Sequence, residues 1–200
     1  MNVQVRTIDV GLFPEHGGLP DEAKALLHAS NEGGAIAVAG NDQIGLIRVF
    51  SAAPDEAPVE LPASQGWTRY EVRAGTQRGS LNGLSALVLS EEDAFQQGVD
   101  DQAYERWVDD EWGPGVTGLP GYRAAFLMRG AAGGRSGKYS SIGWFTNVAD
   151  RDALLVALTP SYPSELAGYR KLIDEAFGKY LDRSRRRFLA LHVIPVEIGT

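Results

Sequence analysis

The sequence predicts an α+β protein built on a ferredoxin-like antiparallel sheet with its helices on one face. Two observations predict this fold class. From residue 84 onwards, segments typical of strands and helices follow one another in the order β-α-β-β-α-β. The first part of the chain has the order β-α-β-β-loop-β, which is the same order with the second helix missing. We therefore predict an N-terminal β-rich half at 1–78, with a degenerate ferredoxin-like repeat as one interpretation, and a C-terminal ferredoxin-like domain at 79–200.

The N-terminal half is predicted from local patterns. We expect strands at 3–10 and 67–75, a helix at 19–30, a hairpin at 35–50 and a loop at 51–66. The hairpin is predicted because Gly40-Asn41-Asp42 has turn chemistry and lies between two apolar runs. The loop is predicted because 51–66 contains three prolines and little periodicity.

The C-terminal half has a clearer pattern. We expect strands at 84–90, 122–130, 138–146 and 188–198, and helices at about 104–112, 147–158 and 164–182. Tyr104, Trp107 and Val108 recur at helical spacing, which predicts an amphipathic helix lying on a sheet. We expect this helix to end at Gly113-Pro114-Gly115, since proline and glycine interrupt helices.

The C-terminal strands are apolar on both faces. Alternate residues of a strand point to opposite sides. In 84–89, one face carries Leu84, Ala86 and Val88, and the opposite face carries the apolar residues Leu87 and Leu89. The helices can cover only one face of this sheet, so the other face must meet a second apolar layer. We expect that layer to come from the N-terminal half or from a second chain.

One segment resembles a known superfamily. "YERWVDDEWGPGVTGLPGYRAAFLMR" (104–129) is similar to the helix-to-strand segment of the dimeric α+β barrel superfamily, particularly its EthD-like members, and "GWFTNVADRDALL" (143–155) resembles their strand-to-helix step. The resemblance covers about 84–198. It implies a dimeric or pseudo-dimeric (tandem) α+β barrel, formed by a homodimer or within one chain. Members include cofactor-independent oxygenases, isomerases, polyketide-modifying enzymes and heme enzymes. Their histidine before Gly-Pro is Trp112 here, which removes an acid/base group.

Composition excludes several classes of function. A net charge of −7 gives the chain no electrostatic reason to bind nucleic acid. The absence of cysteine excludes a disulfide framework, a thiolate nucleophile and a cysteine zinc cage. No apolar run reaches the roughly 18 residues that a membrane span requires, and the first residues lack a signal-peptide pattern. We therefore expect a cytoplasmic protein.

The candidate site residues are aromatic, cationic and imidazole side chains. His192 is the best proton-transfer candidate by pKa, with a structural role in a core or interface as the alternative. No two of the three histidines have metal-ligand spacing, so we predict no metal and no cofactor, while a heme held by His192 stays an open alternative. The predicted substrate-binding residues are Trp112, Arg123, Phe126, Tyr139 and Trp144.

The sequence supports two main functional hypotheses. The first is a protein with an apolar cavity that binds a small hydrophobic or aromatic molecule. The second is a cofactor-independent oxygenase, isomerase or cyclase acting on such a molecule, with His192 as base. A purely structural or regulatory dimer is a third alternative.

Overall fold

A computed structural model of the chain describes residues 5–29, 35–50, 66–81, 83–92, 95–182, 184 and 186–194. Its strands are β1 (Thr7–Pro14), β2 (Ala35–Gly40), β3 (Gln43–Phe50), β4 (Trp67–Gln77), β5 (Ala86–Glu92), β6 (Tyr122–Gly133), β7 (Tyr139–Phe145) and β8 (Arg186–Val193). All eight pair antiparallel in one closed barrel, in the order β1-β3-β2-β8-β5-β7-β6-β4. The predicted α+β fold with an antiparallel sheet is confirmed, and the barrel closes within one chain.

The helices lie outside the barrel. They are α1 (Asp21–Ala29), α2 (Asp101–Trp107), α3 (Gly113–Val116), α4 (Val148–Val156) and α5 (Ala167–Lys179). A π-helical turn, Val108–Trp112, joins α2 to α3, and short 3-10 turns occur at Glu15–Gly17 and Ser164–Leu166.

The barrel consists of two four-stranded sheets with the same strand order. Numbered within its own half, each sheet has the ferredoxin-like order 4-1-3-2, as β4-β1-β3-β2 and as β8-β5-β7-β6. The two sheets join along two seams, where β2 pairs with β8 and β4 pairs with β6. The register also matches, because Thr7 lies opposite Phe50 in one sheet and Ala86 lies opposite Phe145 in the other. This symmetry supports our division of the chain at 78/79, which stays a proposal.

The main core fills the barrel interior. Its fully buried members include Ile8, Leu87, Leu89, Phe126, Ile142 and Trp144. The inner faces of the two sheets thus cover each other, as the two-sided apolar pattern of the strands required. Because neighbours on a strand alternate, Ser90 and Glu92 of β5 point outward, toward the helices.

The helix that begins at Asp101 does not end at Gly113-Pro114-Gly115, so that prediction was wrong. The backbone widens into the π turn, in which the N–H of Gly113 donates to the carbonyl of Val108, and then continues as α3. Pro114 lies at the start of α3, directly after the π turn, where its fixed φ suits the first turn of a helix.

Candidate functional site

The candidate site is a cleft between the outer face of the C-terminal sheet and the helical layer. Its floor comes from outward-facing side chains of β5, β7 and β8, and its wall comes from α2, the π turn and α5. The floor is polar at Glu92, Ser141 and Arg186, whereas the wall is mostly aromatic and aliphatic. We call this region the Glu92 cleft.

Glu92 is a buried carboxyl group at the end of β5. Its residue is 3% exposed, and its oxygens accept hydrogen bonds from the hydroxyls of Tyr104 and Ser141, both at 3.1 Å. Nη2 of Arg186 lies 3.6 Å from Oε1. Burial raises the pKa of Glu92 above its ordinary 4.5, and Arg186 and the two hydroxyls only partly oppose this effect. A carboxyl with this environment can hold or release a proton closer to neutral pH.

Tyr104 links the polar floor to an aromatic wall. Its ring stacks on Trp107 with centroids 6.1 Å apart and an interplanar angle of 14°, and it tilts against Tyr180 at 5.3 Å. Burial and the neighbouring Glu92 raise the pKa of Tyr104, so the phenol keeps its proton and donates to the carboxyl. The side chain of Asp100 caps the first turn of α2 through the N–H of Gln102 and so fixes this wall at its start.

Arg186 begins β8 and is held in place by three neighbours. Its guanidinium lies 4.2 Å from the ring centroid of Phe188 and 5.1 Å from that of Phe177, and its Nε donates to Oγ of Ser90. The result is a rigid positive group at the floor, suited to an oxyanion on a ligand.

Two small cavities lie in this region, each of about 20 Å³. The first contains Glu92 and Tyr104, and the second extends toward α4. They share four lining residues: Trp112, Ser141, Tyr169 and Arg186. A cavity of this size holds about one water molecule, since a water needs roughly 10–15 Å³ on this measure.

The structure places the predicted site residues in four different environments. Trp112 lines both cavities. Tyr139 lies on the outer face of the sheet, where its hydroxyl donates to Glu105 at 2.7 Å, but it lines neither cavity. Phe126 and Trp144 belong to the packed barrel interior.

Arg123 and His192 are exposed and line neither cavity. His192 pairs with Ala39 across the β2–β8 seam and with Ala86 of β5 within the C-terminal sheet. The structure therefore does not bring His192 and Trp112 to one cavity, and the catalytic role of His192 stays a prediction. Within the described residues, no group of three or more His, Cys, Asp or Glu side chains could hold a metal ion.

Sequence reasoning missed Glu92, Tyr104, Ser141 and Arg186 as site residues. The signal that could have found Glu92 is the alternation of β5, because Ser90 and Glu92 share the face of Ala86 and Val88. Ending the predicted strand at residue 90 placed Glu92 in an acidic loop and hid that relation.

No family model and no curated protein matches the chain. Among the helices that the structure describes, none is long and apolar enough to cross a membrane.

Solved structures do resemble the chain along nearly its full length. One is a ferredoxin-fold protein related to antibiotic biosynthesis monooxygenases from Listeria monocytogenes, with 14% identity, a TM-score of 0.54 and 96% coverage of both chains. Another is an anthrone oxidase-like protein, with 14% identity, a TM-score of 0.55 and coverage of 96% of this chain and 92% of that one. A heme-degrading enzyme from Listeria monocytogenes has 11% identity, a TM-score of 0.55 and coverage of 94% and 99%. This chain therefore has the ferredoxin-type α+β fold of structures related to antibiotic biosynthesis monooxygenases.

Proposed function

We propose that the chain is a small-molecule-binding α+β barrel protein whose ligand occupies the Glu92 cleft. The observation that carries this proposal is a buried carboxyl with a raised pKa, set among aromatic side chains between sheet and helices. A pocket that combines an apolar wall with a few convergent polar groups is the usual form of a ligand site. We also propose that the chain is related to the EthD-like proteins in particular.

The chemistry of the cleft selects the ligand. The rings of Tyr104 and Trp107 offer a stacking surface for a flat apolar body. Glu92 and Arg186 offer a proton acceptor and a cation to one oxygen-bearing end of that body. We therefore infer a small aromatic ligand with a hydroxyl or enol group.

A cofactor-independent oxygenase acting on a small hydrophobic or aromatic substrate is the alternative, and an isomerase or cyclase would use the same first step. Glu92 in its charged form would accept a proton from an activated carbon or phenol, and Arg186 would stabilise the resulting anion. Dioxygen could then convert a CH₂ group of the substrate to a carbonyl, with water as the second product. Two of the similar structures are a monooxygenase-related protein and an anthrone oxidase-like protein, which favours an oxygenase over the other reactions.

Calorimetric titration with 1-naphthol tests the binding proposal. We expect wild-type protein to bind it and Glu92→Gln to bind it at least about tenfold more weakly, because the buried acceptor loses its charge. Glu91→Gln is the matched control, since Glu91 is the adjacent acid of β5 and lines neither cavity. Equal binding by all three proteins would refute the proposed site.

Oxygen uptake with anthrone tests the enzyme alternative. We expect uptake by wild type and Glu91→Gln and its loss in Glu92→Gln, because only Glu92 faces the cleft. Binding without uptake in any of the three proteins would favour the non-catalytic function.

A further inference from the structure

Trp112 is one of the four residues that line both cavities of the Glu92 cleft. It also packs against two outer hydrophobic clusters, the one containing Tyr104 and Trp107 and the one containing Tyr122 and Phe145. Each cavity holds about one water molecule. An aromatic ligand can therefore enter only by taking space that a side chain now fills.

The two cavities differ in chemistry. The first cavity is lined by Glu92 and Tyr104. The second shares Ser141 and Arg186 with the first, and it adds Ser90 together with Leu154, Leu155 and Leu158. A ligand that reaches both would meet the Glu92 carboxyl at one end and these leucines at the other, and its middle would lie among the shared residues, of which Trp112 has the largest side chain.

The backbone at Trp112 differs from that of the flanking helices. Trp112 is the last residue of the π turn, and Gly113 follows it directly. The hydrogen bond of a π turn spans one residue more than that of an α-helix, and such turns are frequent at functional sites. Trp112 is also only partly buried, whereas Trp107, Tyr104 and Val108 of the same layer are fully buried.

We propose that the Trp112 indole occupies the ligand position of the Glu92 cleft, so that it is the residue that sets which ligands the cleft accepts. This inference rests on the proposed function. The indole is a fused two-ring system, so the ligand that replaces it is a fused-ring aromatic of about the same size. Its hydroxyl or enol oxygen meets Glu92, and its apolar ring enters the cavity beside α4. Binding therefore requires displacement of Trp112, which lowers the apparent affinity of the wild type.

Calorimetric titration of Trp112→Ala with 1-naphthol and with naphthalene tests this inference. We expect Trp112→Ala to bind 1-naphthol at least about tenfold more tightly than wild type, because no side chain has to leave. We also expect 1-naphthol to bind more tightly than naphthalene, and this preference to vanish in Trp112→Ala/Glu92→Gln. Phe95→Ala is the matched control, since Phe95 is a partly buried aromatic residue of the same outer cluster and lines neither cavity, and it should give no comparable gain. Trp112→Leu repeats the test with a smaller loss of packing if the alanine variant does not fold.

The outcomes separate this inference from the proposed function. Two results would mean that the substitution only creates a nonspecific cavity. One is an increase of less than twofold in the affinity of Trp112→Ala for 1-naphthol. The other is an increase that does not depend on Glu92 and is equally large for naphthalene. Either result overturns the inference, while the proposed function stands if wild-type binding still depends on Glu92. If wild-type binding does not depend on Glu92, the proposed function itself is wrong.

Discussion

Nη2 of Arg48 donates a 2.6 Å hydrogen bond to Oδ2 of Asp9, and the two side chains are 5% and 0% exposed. Arg69 adds bonds of 2.7 and 2.8 Å to the same carboxylate. These residues lie opposite each other on β3, β1 and β4. In the matched register of the two sheets, Asp9 and Arg48 correspond to Val88 and Gly143, which line the second cavity. The N-terminal sheet thus has a buried ion cluster at the positions equivalent to those at which the C-terminal sheet borders the candidate site.

Asp9→Ala should strongly destabilise the fold. It leaves two guanidinium groups without their carboxylate, and breaking a buried ion pair by removing one partner costs about 3–5 kcal/mol. Urea unfolding of the variant and wild type measures this loss. Asp21→Ala is the control, because its pair with Lys24 is exposed and such pairs contribute little. A loss no larger than that of the control would show that the cluster is not a stability determinant.

Glu92→Gln should change the pH dependence of stability. The pKa of Glu92 is raised in the folded state above its ordinary 4.5, so the folded state holds the proton over a pH range in which the unfolded chain releases it. The wild type therefore loses stability as pH rises from about 4.5 through the folded pKa, whereas the glutamine variant has no such loss. Thermal melts across pH 4–8 should show the stability of the variant rising relative to wild type. A difference that stays constant with pH would contradict the raised pKa.

Arg186→Met should raise the pKa of Glu92 further. Arg186 is the strongest of the groups that oppose the effect of burial on this carboxyl. A carbon-13 NMR titration of the Glu92 carboxyl should therefore have its midpoint at higher pH in the variant. Arg187→Met is the matched control, since Arg187 is 53% exposed and pairs with Glu91 at 3.8 Å. An equal midpoint in wild type and Arg186→Met would show that the guanidinium does not act on this group.

Gly75→Ala should weaken the β4–β6 seam. Gly75 has a φ of +143°, and an added Cβ would lie 2.2 Å from the carbonyl oxygen of Ala125. Gly79 also has a positive φ, +76°, but nothing lies within 4 Å of its added Cβ. We therefore expect Gly75→Ala to lose about 1–3 kcal/mol more than Gly79→Ala, the usual cost of overpacking. Equal unfolding free energies for the two variants would mean that the β4 and β6 backbones can move apart enough to accommodate the added methyl group.

The sequence predicted the barrel because its evidence is spread along whole strands. The alternation in β5 and β6 made both faces apolar, and only a second sheet can cover such a surface. The hairpin at 35–50 was also predictable, since Asn41 and Asp42 adopt the positive φ values of 54° and 58° that its tight turn requires.

The candidate site was less predictable because it depends on contacts between distant segments. β5 extends to Glu92 because it pairs there with Tyr139 of β7 and Arg186 of β8, and neither pairing has a local signal. The π turn was not predicted from the sequence for a similar reason. α3 is kept close to α5, where a Cβ on Gly115 would lie 2.5 Å from Leu172, and helical periodicity carries no information on that packing. The loop predicted at 51–66 lies outside the described residues except for Gly66.

Both sheets of the barrel belong to one polypeptide, and this has a consequence for how the two can diverge. When identical chains associate through a twofold axis, every substitution appears twice, so a surface must remain complementary to itself. A covalent link removes that constraint and also makes the association independent of dilution. The N-terminal sheet can then carry the buried Asp9–Arg48 pair on its outer face, while the equivalent positions of the C-terminal sheet border cavities.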